Sequence, residues 1–261
     1  MHPDFETILN WRLLAGSHPF PGPDGGTCIN EAAMVAAGLP YRAIRSSTNC
    51  PPCFSRPIAA YALGLNDAMP DGVRTQLLAF VLRLSGSADA PEIEAARTRR
   101  VALESVRRIL APLCSLAGMA EDAEACAGAP DWPTAFAAAR SAAWRGGARA
   151  QAASRARRWR EGALTAAVSR TATAAQRAGE DARCAAEVAE GAAPFVIGTW
   201  TEACAILDRA LAIGRQAPEI ALAGARERLD AARARPGLIR PRPARRPGPA
   251  RSRRSSPGTC R

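Results

Sequence analysis

The chain contains no lysine: all 35 of its Lys and Arg positions are arginine, and histidine is limited to His2 and His18. That absence excludes a phosphate-binding loop of the GxxxxGK[ST] type, a Schiff-base lysine and a kinase-type ATP lysine. Long apolar runs are missing too. No stretch of about 18 uncharged apolar residues occurs, so no membrane span is expected, and Met1-His2-Pro3-Asp4-Phe5-Glu6 lacks the basic-then-apolar pattern of a secretion signal. The expectation is a soluble, cytoplasmic protein with no membrane partner. Its eight cysteines are then reduced thiols rather than a disulfide framework. Alternating strand patterns are scarce, and the best of them, Tyr41-Arg42-Ala43-Ile44, is short.

Charge is plentiful but uneven. The formal net charge is +11, yet residues 233–261 hold ten arginines and no acid, which leaves 25 arginines against 24 acids in residues 1–232. Beyond Pro236 the composition is Pro, Arg, Ser and Gly, with too few apolar side chains to offset the entropy of ordering. Residues 236–261 are therefore expected to be a disordered basic tail. Inside the fold one basic region remains, residues 140–183, with ten arginines and three acids.

At 48% hydrophobic over 261 residues the chain can bury a core, and its periodicity predicts an all-α protein. Pro3 opens a helix carrying Phe5, Ile8, Leu9 and Leu13, with Gly16 as its stop. After a Pro/Gly loop, Thr27 is the expected N-cap of a helix from Cys28 to Ala37 closed by Gly38. Ile58, Tyr61, Ala62 and Leu65 mark a third helix, and Leu77, Phe80, Val81 and Leu84 a fourth. Pro91 opens a fifth, with Leu103, Val106, Leu110 and Leu113 facing a core and Pro112 bending or ending it.

From Trp132 to Ala193 an Ala/Arg-rich stretch reads as helix on composition, with Gly146, Gly147, Gly162 and Gly179 as candidate interruptions. Thr199-Trp200-Thr201-Glu202 has capping-box spacing, and its helix ends at Gly214; Pro218 introduces a last helix bearing Ile220, Leu222, Ala225 and Leu229. The expected organisation is a compact helical domain over 1–128, then an Ala/Arg-rich helical region over 129–235. A C-terminal helix pair packs back on the long helices, and the tail follows.

Reactive residue types concentrate between His18 and Cys53. Cys28, predicted at the start of a helix where the backbone dipole favours a thiolate, forms a candidate thiol site with His18 as base and Asp24 or Asn30 orienting it. Gly26-Thr27-Cys28 followed by Gly38-Leu39-Pro40-Tyr41-Arg42 is similar to the nucleophile helix of the transglutaminase-like family. That family supplies its catalytic His and Asp downstream of the cysteine, whereas both histidines here lie upstream. Cys50 and Cys53 have C-x-x-C spacing, and with Cys28 and His18 would complete a Cys3His zinc set. Asn66, Asp67 and Asp71 offer oxygens for a hard cation, or equally an inter-helix turn. Arg149, Arg155, Arg157, Arg158, Trp159 and Arg160 combine the residue types that hold phosphates and stack bases, or else form a solvated face of a chain in which arginine serves every surface role.

Trp11-Arg12-Leu13-Leu14-Ala15-Gly16-Ser17-His18, Gly22-Pro23-Asp24-Gly25-Gly26-Thr27-Cys28-Ile29-Asn30-Glu31-Ala32-Ala33, Pro51-Pro52-Cys53-Phe54-Ser55 and Leu65-Asn66-Asp67-Ala68-Met69-Pro70-Asp71 together resemble a family of uncharacterised bacterial proteins. The resemblance extends over most of residues 8–218, through an Ala-rich region to a closing stretch like Leu207-Asp208-Arg209-Ala210-Leu211. It implies no catalytic residue. Three functions stay open on the sequence. The first is a non-enzymatic helical scaffold, self-associating or binding a protein through thin alanine faces. The second is a nucleic-acid-associated protein using the arginines of 140–183, and the third a thiol enzyme or zinc protein around Cys28. No cofactor is expected.

Overall fold

The computed structural model describes residues 11–16, 26–216 and 220–234. The protein is all-α, and the β-bridges among the described residues are two isolated ones, Leu13 with Thr27 and Phe54 with Ser85. The basic tail and the segment Phe5–Leu9 lie outside the described residues. Leu13, expected on a helical stripe, instead sits in extended chain: Leu14 N–H donates to the Thr27 carbonyl at 3.0 Å and Thr27 N–H to that of Arg12 at 3.3 Å.

Helix α1 (Ile29–Ala36) is buried along its whole length. Its N-cap is Cys28 rather than Thr27, because Glu31 closes a capping box from the third helical position. α2 (Arg56–Ala68) is capped by Ser55 with Pro57 in its first turn, the arrangement that fixed φ favours. The expected fourth helix is broken into α3 (Asp71–Arg74), a 3-10 turn (Thr75–Phe80) and α4 (Val81–Leu84). α5 (Pro91–Ser105) continues through a π-turn (Val106–Leu110) into α6 (Ala111–Leu116). Pro112 thus neither ends the helix nor acts at its own position: its missing N–H and its ring's demand for space are absorbed as a widened turn just upstream. α7 (Ala120–Gly128) was not legible, since only Asp122 and Cys126 of its residues are buried.

The Ala/Arg-rich stretch resolves into α8 (Trp132–Arg155), α9 (Trp159–Arg177) and α10 (Arg183–Ala192). Gly146 is no interruption. It lies inside α8 where α9 crosses closely, and a Cβ there would come within 2.9 Å of the Thr165 carbonyl oxygen. The alanine faces are spent within the chain: Ala139, Ala142, Ala167, Ala172 and Ala175 are all buried.

α11 (Thr199–Leu211) starts after Gly198 in a left-handed conformation, and the expected capping box is not made; Thr199 Oγ1 donates to the Val196 carbonyl instead. α12 (Leu222–Ala234) closes the described fold. This last pair packs mainly on the N-terminal half rather than on the long helices. α11 lies along α5 and α2, and α12 along α1, with Arg228 donating twice to the Ala36 carbonyl at the end of α1. Arg97, fully buried, ties α5 to the chain after α11 by donating to the Ile213 carbonyl at 2.7 and 3.1 Å. Packing also crosses the boundary expected near Gly128, because α10 lies against α2 and one continuous apolar cluster runs from Trp11 to Ala232.

Candidate functional site

The Cys28 region is built for rigidity. Cys28 and Glu31 have no solvent exposure. The thiol accepts from Glu31 N–H at 3.4 Å, and one Glu31 carboxylate oxygen accepts from Cys28 N–H at 2.9 Å. The other oxygen accepts from Ile44 N–H at 2.9 Å and so pins the loop after α1. Burial, and then the Glu31 charge, push the Cys28 thiol well up from its ordinary value, the opposite of what a nucleophile needs. Asn30 donates to the Ala59 carbonyl, while Asn66 bridges Ile29 N–H and the Leu14 carbonyl. Both serve the backbone. His18 and Asp24 lie outside the described residues.

The described metal candidates do not form a site. Cys50 is buried and burial pushes its thiol up to about 11. Cys53 is partly exposed with its sulfur 3.8 Å from Ser85 Oγ. Among the described residues no group of three His, Cys, Asp or Glu side chains is arranged to hold a metal ion. Asp67 is taken by Arg183 at 2.8 Å and by Gly16 N–H, and Asp71 by Arg74, which leaves the Asn66–Asp71 turn without a free carboxylate pair.

The arginine candidates do converge. α8 ends in a two-bond closing turn in which Arg157 N–H donates to the Ser154 carbonyl at 3.0 Å and Arg158 N–H to that of Ala153 at 2.8 Å. Such a turn needs a left-handed residue, usually glycine. Here the position is held by Arg157 at φ 55°, the one non-glycine residue with positive φ among those described. The turn gathers Arg155, Arg157, Arg158 and Arg160 about Trp159, all of them exposed, at the tip of the α8–α9 hairpin. Arg158 pairs with Glu161 at 2.9 Å. Arg155, Arg157 and Arg160 have no carboxylate partner among the described residues.

Elsewhere along 140–183 most arginines are committed. Arg145 pairs with Asp122 and Glu121, Arg177 with Glu187, and Arg183 with Asp67. Arg149, grouped with the tip on sequence, is exposed but donates to the Gly118 carbonyl at 2.9 Å, tying α8 to the turn before α7.

Beside the tip lies an open cavity of about 920 Å³. Its apolar lining includes Leu116, Leu164, Phe195 and Trp159, and Arg158 and Arg160 stand among its walls. Three of these apolar residues are unusually exposed: Trp159 at 71%, Leu116 at 53% and Phe195 at 36%. Leu116 and Phe195 were missed on sequence. For Phe195 the signal lay in the apolar Pro194-Phe195-Val196-Ile197 between two helices, of which Val196 packs on the core while Phe195 and Ile197 stay exposed. Compared with known proteins, the chain matches no family model, no curated protein and no solved structure.

Proposed function

We propose that this chain is a non-enzymatic helical binding protein that holds nucleic acid through the α8–α9 tip. One observation carries the reading: four arginines crowd around an exposed tryptophan within residues 155–160, and three of them lack a carboxylate partner among the described residues. Solubility requires charge but not like charges crowded together, which repel one another. A guanidinium matches a phosphate with two parallel hydrogen bonds and stacks on flat rings. The other six arginines of α8–α10 are spread along the helices, and three of them, Arg145, Arg177 and Arg183, are ion-paired, which is what the solvated-face alternative looks like.

The experiment compares the intact chain with a variant carrying Arg155→Gln, Arg157→Gln and Arg160→Gln. The tail arginines are present in both, so the difference belongs to the tip. Loss of three phosphate contacts lowers the slope of log affinity against log salt by about 2, which is about a hundredfold weaker binding of a single strand near 0.1 M salt. Equal affinity and equal slope for the two proteins would end the proposal.

A further inference from the structure

We infer that the cavity beside Trp159 receives an unpaired base, so that the tip selects single-stranded over duplex nucleic acid. This rests on the nucleic-acid reading and specifies its ligand. A cavity of about 920 Å³ falls within the roughly 300–1,000 Å³ of small-molecule sites. Its apolar lining, with Leu164 among the exposed Leu116, Phe195 and Trp159, serves no purpose in gripping phosphate alone. Flat π-faces stack on such walls whatever the base, each stacked base raising affinity by roughly tenfold to a hundredfold.

The arrangement of charge decides which amphipathic chain fits. In a single strand every unit couples one anionic phosphate to one flat ring. Guanidiniums on the turn beside an apolar hollow are therefore satisfied in any register. An acidic peptide offers that coupling only where its sequence happens to supply it. Duplex keeps its bases paired and stacked away from the hollow and must extrude one to fill it. The polar side chains in the lining are Arg158, Arg160 and Glu161, too few to read base edges, so recognition tolerates sequence.

The test titrates the intact protein into four fluorescent probes of matched charge: a mixed-sequence single strand, its duplex, an abasic strand and a poly-glutamate peptide. The single strand is expected to bind about tenfold or more tightly than the duplex and the abasic strand. Trp159→Ala brings it down to the abasic level, and Trp159→Phe restores most of the difference. Trp159 is largely exposed, so both variants should melt like the parent protein. Equal binding of single and abasic strands, or a difference that survives Trp159→Ala, overturns the base pocket while arginine-dependent binding stands. Binding to none of the nucleic acids, or tighter binding of poly-glutamate, overturns both readings.

Discussion

Replacing Arg157 by glycine should make the protein more stable and a weaker binder. Arg157 holds a left-handed backbone at φ 55°, which costs a side chain other than glycine roughly 1–2 kcal/mol. Glycine removes that cost but gives back about 0.5–1 kcal/mol through its freer unfolded chain. The exposed guanidinium has no ion pair among the described residues, so little else changes and the net gain is about 0.5–1 kcal/mol. At about 2–4 °C per kcal/mol for a chain of this size, the melting midpoint rises by about 1–4 °C. One lost phosphate contact lowers the salt slope by about 0.7, close to fivefold in single-strand affinity near 0.1 M salt. Arg157→Gln separates the two effects, because it loses the charge and keeps the strain. Thermal melts and fluorescence anisotropy on the three proteins make the test. A glycine variant no more stable than the parent refutes the strain, and one that binds as tightly refutes the role of the tip.

Other consequences are as direct. Glu31→Ala leaves the buried Cys28 and Ile44 N–H groups without their acceptor, and a fall of about 2–4 kcal/mol in urea unfolding is expected. Burial alone would raise the Glu104 carboxyl, but the Arg108 hydrogen bond and the charges of Arg108 and Arg209 hold it below its ordinary value. The stability it contributes is present above the unfolded-state pKa of about 4.3 and lost as pH falls through the lower folded value. Glu104→Gln should therefore flatten the acid limb of stability against pH and cost about 1–2 kcal/mol at neutrality, since the arginines it leaves behind are partly exposed to water. Gly146→Ala meets backbone at 2.9 Å, whereas Gly162→Ala makes ordinary contact at 3.5 Å with Ala153. Unfolding free energy should drop for the first by about 1–3 kcal/mol and rise for the second by about 0.5–1 kcal/mol, as urea unfolding would show. Of the seven described cysteines, Cys53 alone is not buried; iodoacetamide should label it well before Cys28, and equal rates would contradict the buried-thiol account.

Much of the fold was legible where local chemistry decides it. Pro91 opens a helix, Gly38 closes one, and alanine content alone carries α8 through α10. The errors arise where distant residues decide. Glu31 recruits Cys28 as the cap because its carboxylate also serves Ile44, a demand no local pattern announces. Pro112 is accommodated because the chain upstream can widen into a π-turn. α12 lies along α1 rather than the alanine helices, burying Ala225, Leu229 and Ala232 while Arg228 meets the carbonyl of Ala36. The tip was legible in part: Arg155 to Arg160 are consecutive, so sequence brought them together. The cavity joins residues from the ends of α6, α10 and α9, and only folding unites them.

Ultraviolet cross-linking of the intact protein to a single-stranded oligonucleotide, with the linked peptides mapped by mass spectrometry, tests the central claim most directly. The account predicts adducts at Trp159 and in its neighbouring peptide. Adducts confined to residues 233–261 would contradict it.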